Sequence, residues 1–324
     1  MIDLRLMAHL LEAIPPHGTV LLVGDSDQLP SVGPGRILAD LIDSGVVPVA
    51  RLSRIFRQAT ASRIVEAAHE VNEGRLPPLD NPADADFFFL PRQGAEAILE
   101  TVRHLVSERI PGHFGLHPRD GIQVLTPMNR NSLGTRELNA RLQETLNPPG
   151  AWKNEIERFG VLFRTGDKVI QIRNNYEKEI FNGDIGHIAE ITNEPVSIQV
   201  VFDGHERVQY EPGDLDELQL AYAVTIHKSQ GSEFPAVVIP LASQHFPMLQ
   251  RNLIYTAITR GKRLVVLVGE RRSLETAVHN REGWRRYSGL AQRLRSAVAA
   301  GPGPAPGDSG SSDTRTGGRR GTLL

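Results

Sequence analysis

An alternation of helical and strand patterns along the chain is the feature that most constrains its fold. Apolar residues at Leu6, Leu10 and Ile14 recur at helical spacing, and the run TVLLVG at 19–24 then has the pattern of a buried strand. Similar segments alternate at 34–43, 46–52, 63–71, 86–90, 94–106, 121–127 and 137–146, and again beyond residue 218. Strands that alternate with helices of this length predict parallel sheets in a doubly wound α/β fold.

The stretch at 148–215 has a different pattern. A Pro-Pro-Gly sequence at 148–150 precedes short β-type runs such as DKVIQI, IGHIAEI and VSIQVVF, which are separated by turn sequences such as NGD and DGHE. This pattern predicts a small antiparallel β domain at 148–215, inserted into an α/β domain made of 51–147 and 216–298.

Composition excludes several classes of protein. The 324 residues include no cysteine, which rules out disulfide frameworks, thiolate metal sites and cysteine nucleophiles. The same absence fits a reducing compartment, so we expect a cytoplasmic protein. No apolar run approaches the roughly 18 residues of a membrane span, and no metal site is predicted. The Gly-, Pro- and Ser-rich tail at 299–324 is predicted to be disordered.

Charge is segregated along the chain, although the formal net charge is only −2. Residues 203–217 hold six carboxylates against one arginine, whereas residues 260–295 hold ten basic side chains against three glutamates. Bulk charge therefore does not indicate nucleic-acid binding, because proteins that bind nucleic acids usually carry a basic excess. Such binding would depend on local clusters.

Two segments have side chains suited to a phosphate ligand. In LLVGDSDQLPSVGPG (21–35), Asp25 and Gln28 follow a predicted strand, and ligands of open α/β sheets bind beyond the carboxyl ends of strands. A glutamine amide at that position can orient a water molecule or contact a terminal phosphate. In LSRIFRQ (52–58), Arg57 is suited to neutralise charge during phosphoryl transfer. Arg54 and Arg57 are three residues apart, however, and two arginines at this spacing also occur on solvated helix faces.

Two later segments are rich in hydrogen-bond donors. TIHKSQGSEF (225–234) opens from a predicted strand into a polar loop whose hydroxyl, amide and backbone donors suit contacts with sugar and phosphate groups. His227 taken alone is equally consistent with a structural histidine. In YTAITRGKR (255–263), Arg260 is placed to reach a nucleotide, while Lys262 and Arg263 are explained by the dipole at the end of a helix.

Six motifs in this order resemble the C-terminal half of the RecD-like superfamily-1 DNA helicases. They are GDSDQLPSVGPG, LSRIFRQ, VLTPMNR, GDKVIQIRNNYEKEIFNGDIG, TIHKSQGSEF and YTAITRGKR, and the resemblance covers roughly residues 1 to 270. It implies a RecA-like parallel-sheet domain of the P-loop NTPase type with an SH3-like β-barrel inserted into it. Residues 1–50 would then be the C-terminal remnant of a first RecA-like domain, and ATP would bind between the two RecA-like domains.

The resemblance also implies roles for individual residues. Gln28 resembles the γ-phosphate sensor of helicase motif III, and Asp25 resembles the strand-end acid of that motif. Arg57 and Arg260 resemble two arginines that reach the γ-phosphate. Gly231 and Glu233 resemble positions near the nucleotide sugar and phosphates. The candidates for contact with single-stranded DNA are Thr126, Asn129, Tyr176, Thr225, His227, Lys228 and Ser229.

The chain contains neither a GxxxxGK[ST] phosphate loop nor a strand-end Asp-Glu pair for Mg²⁺. We therefore interpret it as a truncated or separately encoded C-terminal half, for which ATP and Mg²⁺ would require a missing N-terminal half. The resemblance implies a 5′-to-3′ helicase of DNA recombination or repair that acts on single-stranded DNA or duplex junctions. This chain alone is expected to have little ATPase activity.

Two other functions fit the sequence. A non-catalytic module that binds DNA or a protein partner would retain the basic segment and the β domain but would not use Gln28, Arg57 and Arg260. The chain is also consistent with the helicase half of a relaxase or exonuclease-like polypeptide. The sequence upstream of Met1 would distinguish these functions most directly.

Overall fold

A computed structural model of the protein describes residues 2–52, 62–204, 207–281, 286 and 288–300. The chain divides into two compact units. The first comprises Met1–Gly24, Ser31–Arg51 and Tyr287–Leu324, and the second comprises Asp25–Pro30 and Leu52–Arg286. The predicted division of the chain near residue 50 differs from these two units in two ways. Residues 25–30 cluster with the second unit, and residues from 287 onward cluster with the first. Most of the predicted tail, residues 301–324, lies outside the described residues.

The described secondary structure alternates helices with short strands. The helices are α1 (Leu4–Ala13), α2 (Ile37–Ser44), α3 (Arg63–Glu73), α4 (Ala95–His104), α5 (Ile110–Phe114), α6 (Thr135–Leu146), α7 (Arg251–Ile258), α8 (Arg271–His279) and α9 (Leu290–Ala299). The strands are β1 (Phe87–Pro91), β2 (Ile122–Thr126), β3 (Glu155–Arg158), β4 (Val161–Arg164), β5 (Lys168–Gln171), β6 (Ile185–Asn193), β7 (Val196–Phe202), β8 (Arg207–Tyr210), β9 (Leu218–Leu220), β10 (Ala223–Thr225), β11 (Phe234–Leu241) and β12 (Gly261–Gly269). Among the residues described, no helix combines the length and apolar character needed to cross a membrane.

The first unit contains helices α1, α2 and α9. Asp3 caps α1, because its Oδ1 accepts a hydrogen bond of 2.8 Å from the backbone N–H of Leu6. The prediction of strands at 19–24 and 46–52 is wrong for this structure, since both segments are irregular. Leu21 is 83% exposed and Val23 is 86% exposed. A strand needs a neighbour for its backbone hydrogen bonds, and the described part of this unit contains no strand with which either segment could pair.

The second unit is built on a five-stranded parallel sheet in the order β1-β12-β11-β2-β10. Its central strands are apolar along their length, and Val237, Val238 and Ile239 of β11 are completely buried. Continuous apolar strands of this kind indicate that both faces of the sheet are covered. The α/β parallel-sheet prediction is confirmed.

Helices pack against both faces of this sheet. Val124, Val238 and Val266 belong to one apolar cluster, and the alternate strand residues Leu125 and Val237 belong to another, because neighbouring residues of a strand point to opposite faces. The first cluster includes buried residues of α4 and α6, and the second includes buried residues of α3, α7 and α8. Thr259 and Arg260 therefore lie between a helix packed on the sheet and one of its buried strands.

The predicted insertion is a small antiparallel β domain. Its main sheet has five strands in the order β8-β7-β6-β5-β9, and β3 pairs with β4 in a separate hairpin. The strands extend from Glu155 to Leu220, a few residues past the predicted C-terminal boundary at 215.

Buried polar side chains attach the β domain to the parallel-sheet domain. The carboxylate of Asp167 accepts hydrogen bonds from Gln143 Nε2 at 2.5 Å, Asn147 Nδ2 at 2.7 Å and Tyr222 Oη at 2.8 Å. The backbone N–H of Arg164 donates a fourth bond at 2.7 Å. Burial raises the pKa of Asp167, whereas the hydrogen bonds that it accepts oppose this shift.

Lys168 also lies where the β domain is attached to the parallel-sheet domain, and it is 3% exposed. Its Nζ donates to the backbone carbonyl of Arg119 at 2.7 Å and to Gln123 Oε1 at 2.9 Å. Burial lowers the pKa of Lys168 to about 8, because its charged form is poorly solvated in the protein interior. Neutral hydrogen-bond acceptors thus hold a buried cation between the two domains.

We predict that the free energy of unfolding rises between pH 8 and about 9.5. In this window the unfolded lysine retains its proton while Lys168 of the folded chain loses its own, so the unfolded state binds more protons and folding is favoured as the pH increases. The contribution of this residue is at most about 1.4 kcal/mol per pH unit. Urea denaturation should show a steeper rise in the wild-type chain than in Lys168→Met, in which the other partly buried lysines still contribute. Equal pH dependence in both proteins would contradict the prediction.

We also predict that Asp167→Asn lowers the free energy of unfolding by about 2–4 kcal/mol, because an amide NH₂ would then face the donors that surround the carboxylate. Urea denaturation at pH 7 measures this loss. The exposed Asp203→Asn serves as the control and should change the free energy by less than about 0.5 kcal/mol. A comparable effect of the two substitutions would show that the hydrogen bonds to Asp167 are not a main source of stability.

Candidate nucleotide and DNA site

The segment Asp25–Pro30 is fastened to α7 and to the loop that precedes β11. The backbone N–H of Leu29 donates to Thr256 Oγ1 at 2.9 Å, and the carbonyl of Leu29 accepts a bond of 2.7 Å from Gln230 Nε2. Leu29 itself is buried in the apolar cluster that includes α7. These contacts fix the position of the polar side chains at 25 and 28.

Gln28 links the side chains of Asp25 and Arg260, which are more than 200 residues apart in the sequence. Its Nε2 donates to Asp25 Oδ2 at 3.0 Å, and its Oε1 accepts a bond of 2.9 Å from Nη2 of Arg260. Asp25 Oδ2 also accepts a bond of 2.9 Å from the hydroxyl of Tyr255. The result is a continuous hydrogen-bonded chain from Tyr255 through Asp25 and Gln28 to Arg260.

Arg260 is 6% exposed and is held mainly by neutral acceptors. Its Nε donates to the carbonyl of Thr256 at 3.1 Å, and its Nη1 donates to the carbonyl of Ser232 at 3.0 Å. Burial lowers the pKa of Arg260, while the nearby carboxylates of Glu233 and Asp25 oppose this shift. No carboxylate of the described residues lies within ion-pair distance of this guanidinium. A buried arginine without a direct ion pair is suited to an anionic ligand with several oxygens.

Tyr255 and Thr256 take part in this network, although the sequence analysis assigned them no role. Thr256 lies in α7 and precedes Arg260 by four residues, and Arg260 follows the end of that helix. This short separation is a signal that the sequence contains. The contact of Tyr255 with Asp25 has no comparable signal. Burial and the neighbouring Asp25 raise the pKa of Tyr255, so its hydroxyl keeps the proton that it donates.

Gly231 and Glu233 lie in the loop before β11, in which the carbonyl of Ser232 accepts the bond from Arg260. Gly231 has a φ of 89°, a conformation that favours glycine, and it lies in an exposed turn. Glu233 Oε2 forms an ion pair of 3.2 Å with Lys262 Nζ, and both side chains are about half exposed. Exposed pairs of this kind contribute little stability, so a ligand can replace either partner at low cost.

Hydrogen bonds link Asp25, Gln28 and Arg260, and the carboxylate of Glu233 is close enough to raise the pKa of Arg260. The resemblance implied contact with the γ-phosphate for Gln28 and Arg260 among these residues. Arg57 lies outside the described residues. The described residues contain no group of three or more His, Asp or Glu side chains arranged to hold a metal ion.

Three hydroxyl residues proposed to contact DNA turn inward. Thr225 Oγ1 accepts a bond of 3.3 Å from the backbone N–H of Lys228, and Ser229 Oγ donates to the carbonyl of Ile226 at 2.8 Å. Thr126 is completely buried, and its Oγ1 donates to the carbonyl of Leu133 at 2.6 Å. These hydroxyls shape the two loops, and in this arrangement they are not available to a DNA strand.

The side chains of His227, Lys228 and Asn129 remain accessible at the same edge of the sheet. Thr225 pairs with Thr126 at the ends of β10 and β2, so the loops that follow these strands are neighbours. Asn129 is exposed, while His227 and Lys228 are half-buried. Burial lowers the pKa of both His227 and Lys228, and nearby Arg286 lowers that of His227 further. Neutral His227 can therefore donate or accept a hydrogen bond at pH 7.

Tyr176 is 76% exposed, but its surroundings are acidic. It lies in the β domain, on the connection between β5 and β6. The basic side chains nearest in sequence, Arg173 and Lys178, are paired with Asp216 and Asp214. Carboxylates around an aromatic ring repel a phosphate backbone, so the charge distribution opposes the expected contact of Tyr176 with DNA.

Comparison with protein families identifies three segments. Residues 138–202 match the SH3 domain of ATP-dependent RecD-like DNA helicases, and residues 220–268 match the C-terminal domain of UvrD-like helicases. Residues 1–88 match a family described as an AAA domain. The first match covers most of the β domain, and the second covers the loop with Gly231 together with α7 and most of β12.

Individual relatives agree with these matches. The chain is 37% identical to the ATP-dependent RecD2 DNA helicase of Deinococcus radiodurans over 291 residues, which are 90% of this chain and 38% of that protein. It is 30% identical to the RecBCD enzyme subunit RecD of Mycobacterium tuberculosis over 317 residues, covering 91% of this chain and 52% of that protein. It is also 28% identical to the conjugal transfer protein TraA of Agrobacterium fabrum, over 80% of this chain and 23% of TraA.

The chain spans about half or less of the length of these relatives. The matches nevertheless include both the inserted β domain and the strands and helix that hold Arg260. The chain belongs to the RecD-like superfamily-1 DNA helicases.

Proposed function

We propose that this chain is the part of an ATP-dependent 5′-to-3′ DNA helicase that detects the terminal phosphate of ATP and transmits that state to single-stranded DNA. The observation that carries the proposal is the buried guanidinium of Arg260, which is hydrogen-bonded to Gln28 and has no direct ion pair within the described chain. Its substrates would be single-stranded DNA and duplex junctions, in DNA recombination or repair.

On the ATP side, the γ-phosphate would compete with the neutral amide of Gln28 for Arg260. A charge-assisted bond to phosphate is stronger than a bond to an amide oxygen, so the guanidinium would transfer to the nucleotide. Gln28 would then be free to contact the phosphate or orient the attacking water. Arg57 would supply a second positive charge. The chain's own contribution is therefore charge neutralisation and positioning.

On the DNA side, one loop connects both functions. Residues 226–233 run from the end of β10 to the start of β11 and include His227 and Lys228. The carbonyl of Ser232 in this loop accepts a bond from Arg260, and Gln230 donates to Leu29. A shift of Arg260 toward a phosphate would change the support of this loop and thereby its grip on DNA.

ATP would also need a phosphate loop and Mg²⁺ ligands. The chain contains no GxxxxGK[ST] sequence, so we propose that a separate N-terminal helicase segment supplies these groups. We assign Mg²⁺ to none of the described residues. We place the assembled enzyme in the cytoplasm.

A second candidate function is the helicase part of a conjugal-transfer polypeptide, which the similarity to TraA supports. A relaxase or nuclease assay on an enzyme assembled from this chain and a phosphate-loop domain would distinguish this function from DNA repair. A purely structural DNA-binding module is less well supported, because it would have no use for the Gln28 and Arg260 network.

We predict that the purified chain does not hydrolyse ATP at a rate stimulated by single-stranded DNA, because it lacks the loop that cradles the phosphates. Phosphate release would be measured with and without an oligo-dT strand. DNA-stimulated turnover that Arg260→Ala abolishes would contradict the prediction and would reveal a phosphate site within this chain.

In an active enzyme assembled from this chain and a phosphate-loop domain, we predict that Arg260→Lys lowers kcat for ATP by roughly 10²- to 10³-fold, since lysine cannot reproduce the guanidinium fork. The KM for ATP should change much less. The matched control is the exposed Arg263→Lys, which should leave both constants unchanged. Equal effects of the two substitutions would remove Arg260 from the proposed mechanism.

A further inference from the structure

The connection between β5 and β6, residues 172–184, exposes an aromatic pair that the helicase proposal does not use. We name this segment the aromatic hairpin. Tyr176 is 76% exposed and Phe181 is 46% exposed, and their rings meet edge to face with centroids 6.0 Å apart. Two adjoining exposed rings offer apolar area to a partner.

The aromatic hairpin is held rigid by its own hydrogen bonds. Asn175 and Ile180 form a β-bridge across it, and Asn174 Oδ1 accepts a bond of 3.0 Å from the backbone N–H of Asn182. Asn175 Nδ2 donates to Glu217 Oε2 at 3.1 Å, which ties the hairpin to the segment at 211–217. The aromatic pair is therefore presented without further ordering, which reduces the entropic cost of binding a partner.

The charge around the pair is strongly negative. The hairpin and the segment at 211–217 contain two basic side chains, and both are already paired with carboxylates. The carboxylates of these two segments are Glu177, Glu179, Asp184, Glu211, Asp214, Asp216 and Glu217. Glu177 and Glu179 are exposed beside Tyr176, and within the described residues neither has an ion-pair partner. These two side chains remain available to an incoming cation.

One end of this surface already shows how it holds a cation. The Nζ of Lys178 lies 4.3 Å from the ring centroid of Tyr210 and 2.5 Å from Oδ2 of Asp214. An ammonium group is thus held between an aromatic face and a carboxylate. Tyr176 with Glu177 and Glu179 offers the same two groups, a π face and carboxylates, to a cation from outside the chain.

We propose that the aromatic hairpin binds a basic polypeptide segment of a protein partner, in which lysine or arginine side chains flank an apolar residue. The cations would contact Glu177, Glu179 and the face of Tyr176, and the apolar residue would pack against Phe181. A nucleic acid could stack a base on Tyr176, but its phosphates would meet the excess of carboxylates. The charge therefore favours the polypeptide.

The test uses the full chain and two fluorescent probes: a 12-residue peptide of lysine, arginine and leucine, and an oligo-dT strand. Binding is measured by anisotropy at two salt concentrations. Glu177→Gln with Glu179→Gln should weaken peptide binding roughly fivefold at low salt, because two exposed charges are removed. Tyr176→Ala should weaken it by a similar factor, and Tyr176→Phe should retain it, because the π face remains.

The matched control is Glu157→Gln with Glu194→Gln, which removes two exposed carboxylates elsewhere in the β domain. It should leave peptide binding unchanged, and equal weakening by the control would overturn the proposal as non-specific charge attraction. A loss of oligo-dT binding in Tyr176→Ala would also overturn it, in favour of DNA. Thermal unfolding of each variant verifies the fold, and Tyr176 is exposed enough for its replacement to leave the midpoint unchanged. The outcome is independent of the ATPase tests of Arg260.

Discussion

The buried guanidinium of Arg260 is the group on which the candidate site depends. Through Gln28 it contacts the segment at 25–30, through Thr256 it contacts helix α7, and through Ser232 it contacts the loop before β11. These are neutral acceptors, so the positive charge is solvated without being cancelled by a direct ion pair. An anionic phosphate is the ligand that would gain most from this environment, and its arrival would alter all three contacts together.

The contacts of Arg260 depend on the position of α7 on the parallel sheet. The sheet supports this helix, since its central strands are buried on both faces and α7 packs on one of them. The β domain is attached to this sheet through the hydrogen bonds of Asp167 and Lys168, which are buried and therefore strong. The aromatic hairpin is consequently carried by a domain with a well-defined attachment to the sheet.

Burial and charge revise several expectations for individual residues. Thr126 and Ser229 occur in segments that resemble DNA-contacting motifs, yet their hydroxyls bond to carbonyls of their own loops. Tyr176 has the exposure of a stacking residue, but the segment at 211–217 adds carboxylates to the acidic side chains next to it in the sequence. Residues 173 and 216 meet only in the folded β domain. The run at 19–24 is apolar enough for a strand, but a strand also needs a neighbour to pair with.

The sequence by itself determined the fold class, the inserted β domain and the family, because hydrophobic periodicity, turn residues and ordered motifs are all local properties of the chain. It also predicted Gln28 and Arg260 as candidate site residues. Only the tertiary structure decided that these two side chains bond to each other, that Tyr255 joins them, and which polar groups face solvent. Such facts depend on contacts between residues far apart in the chain, and burial and electrostatic environment arise only when those residues are brought together.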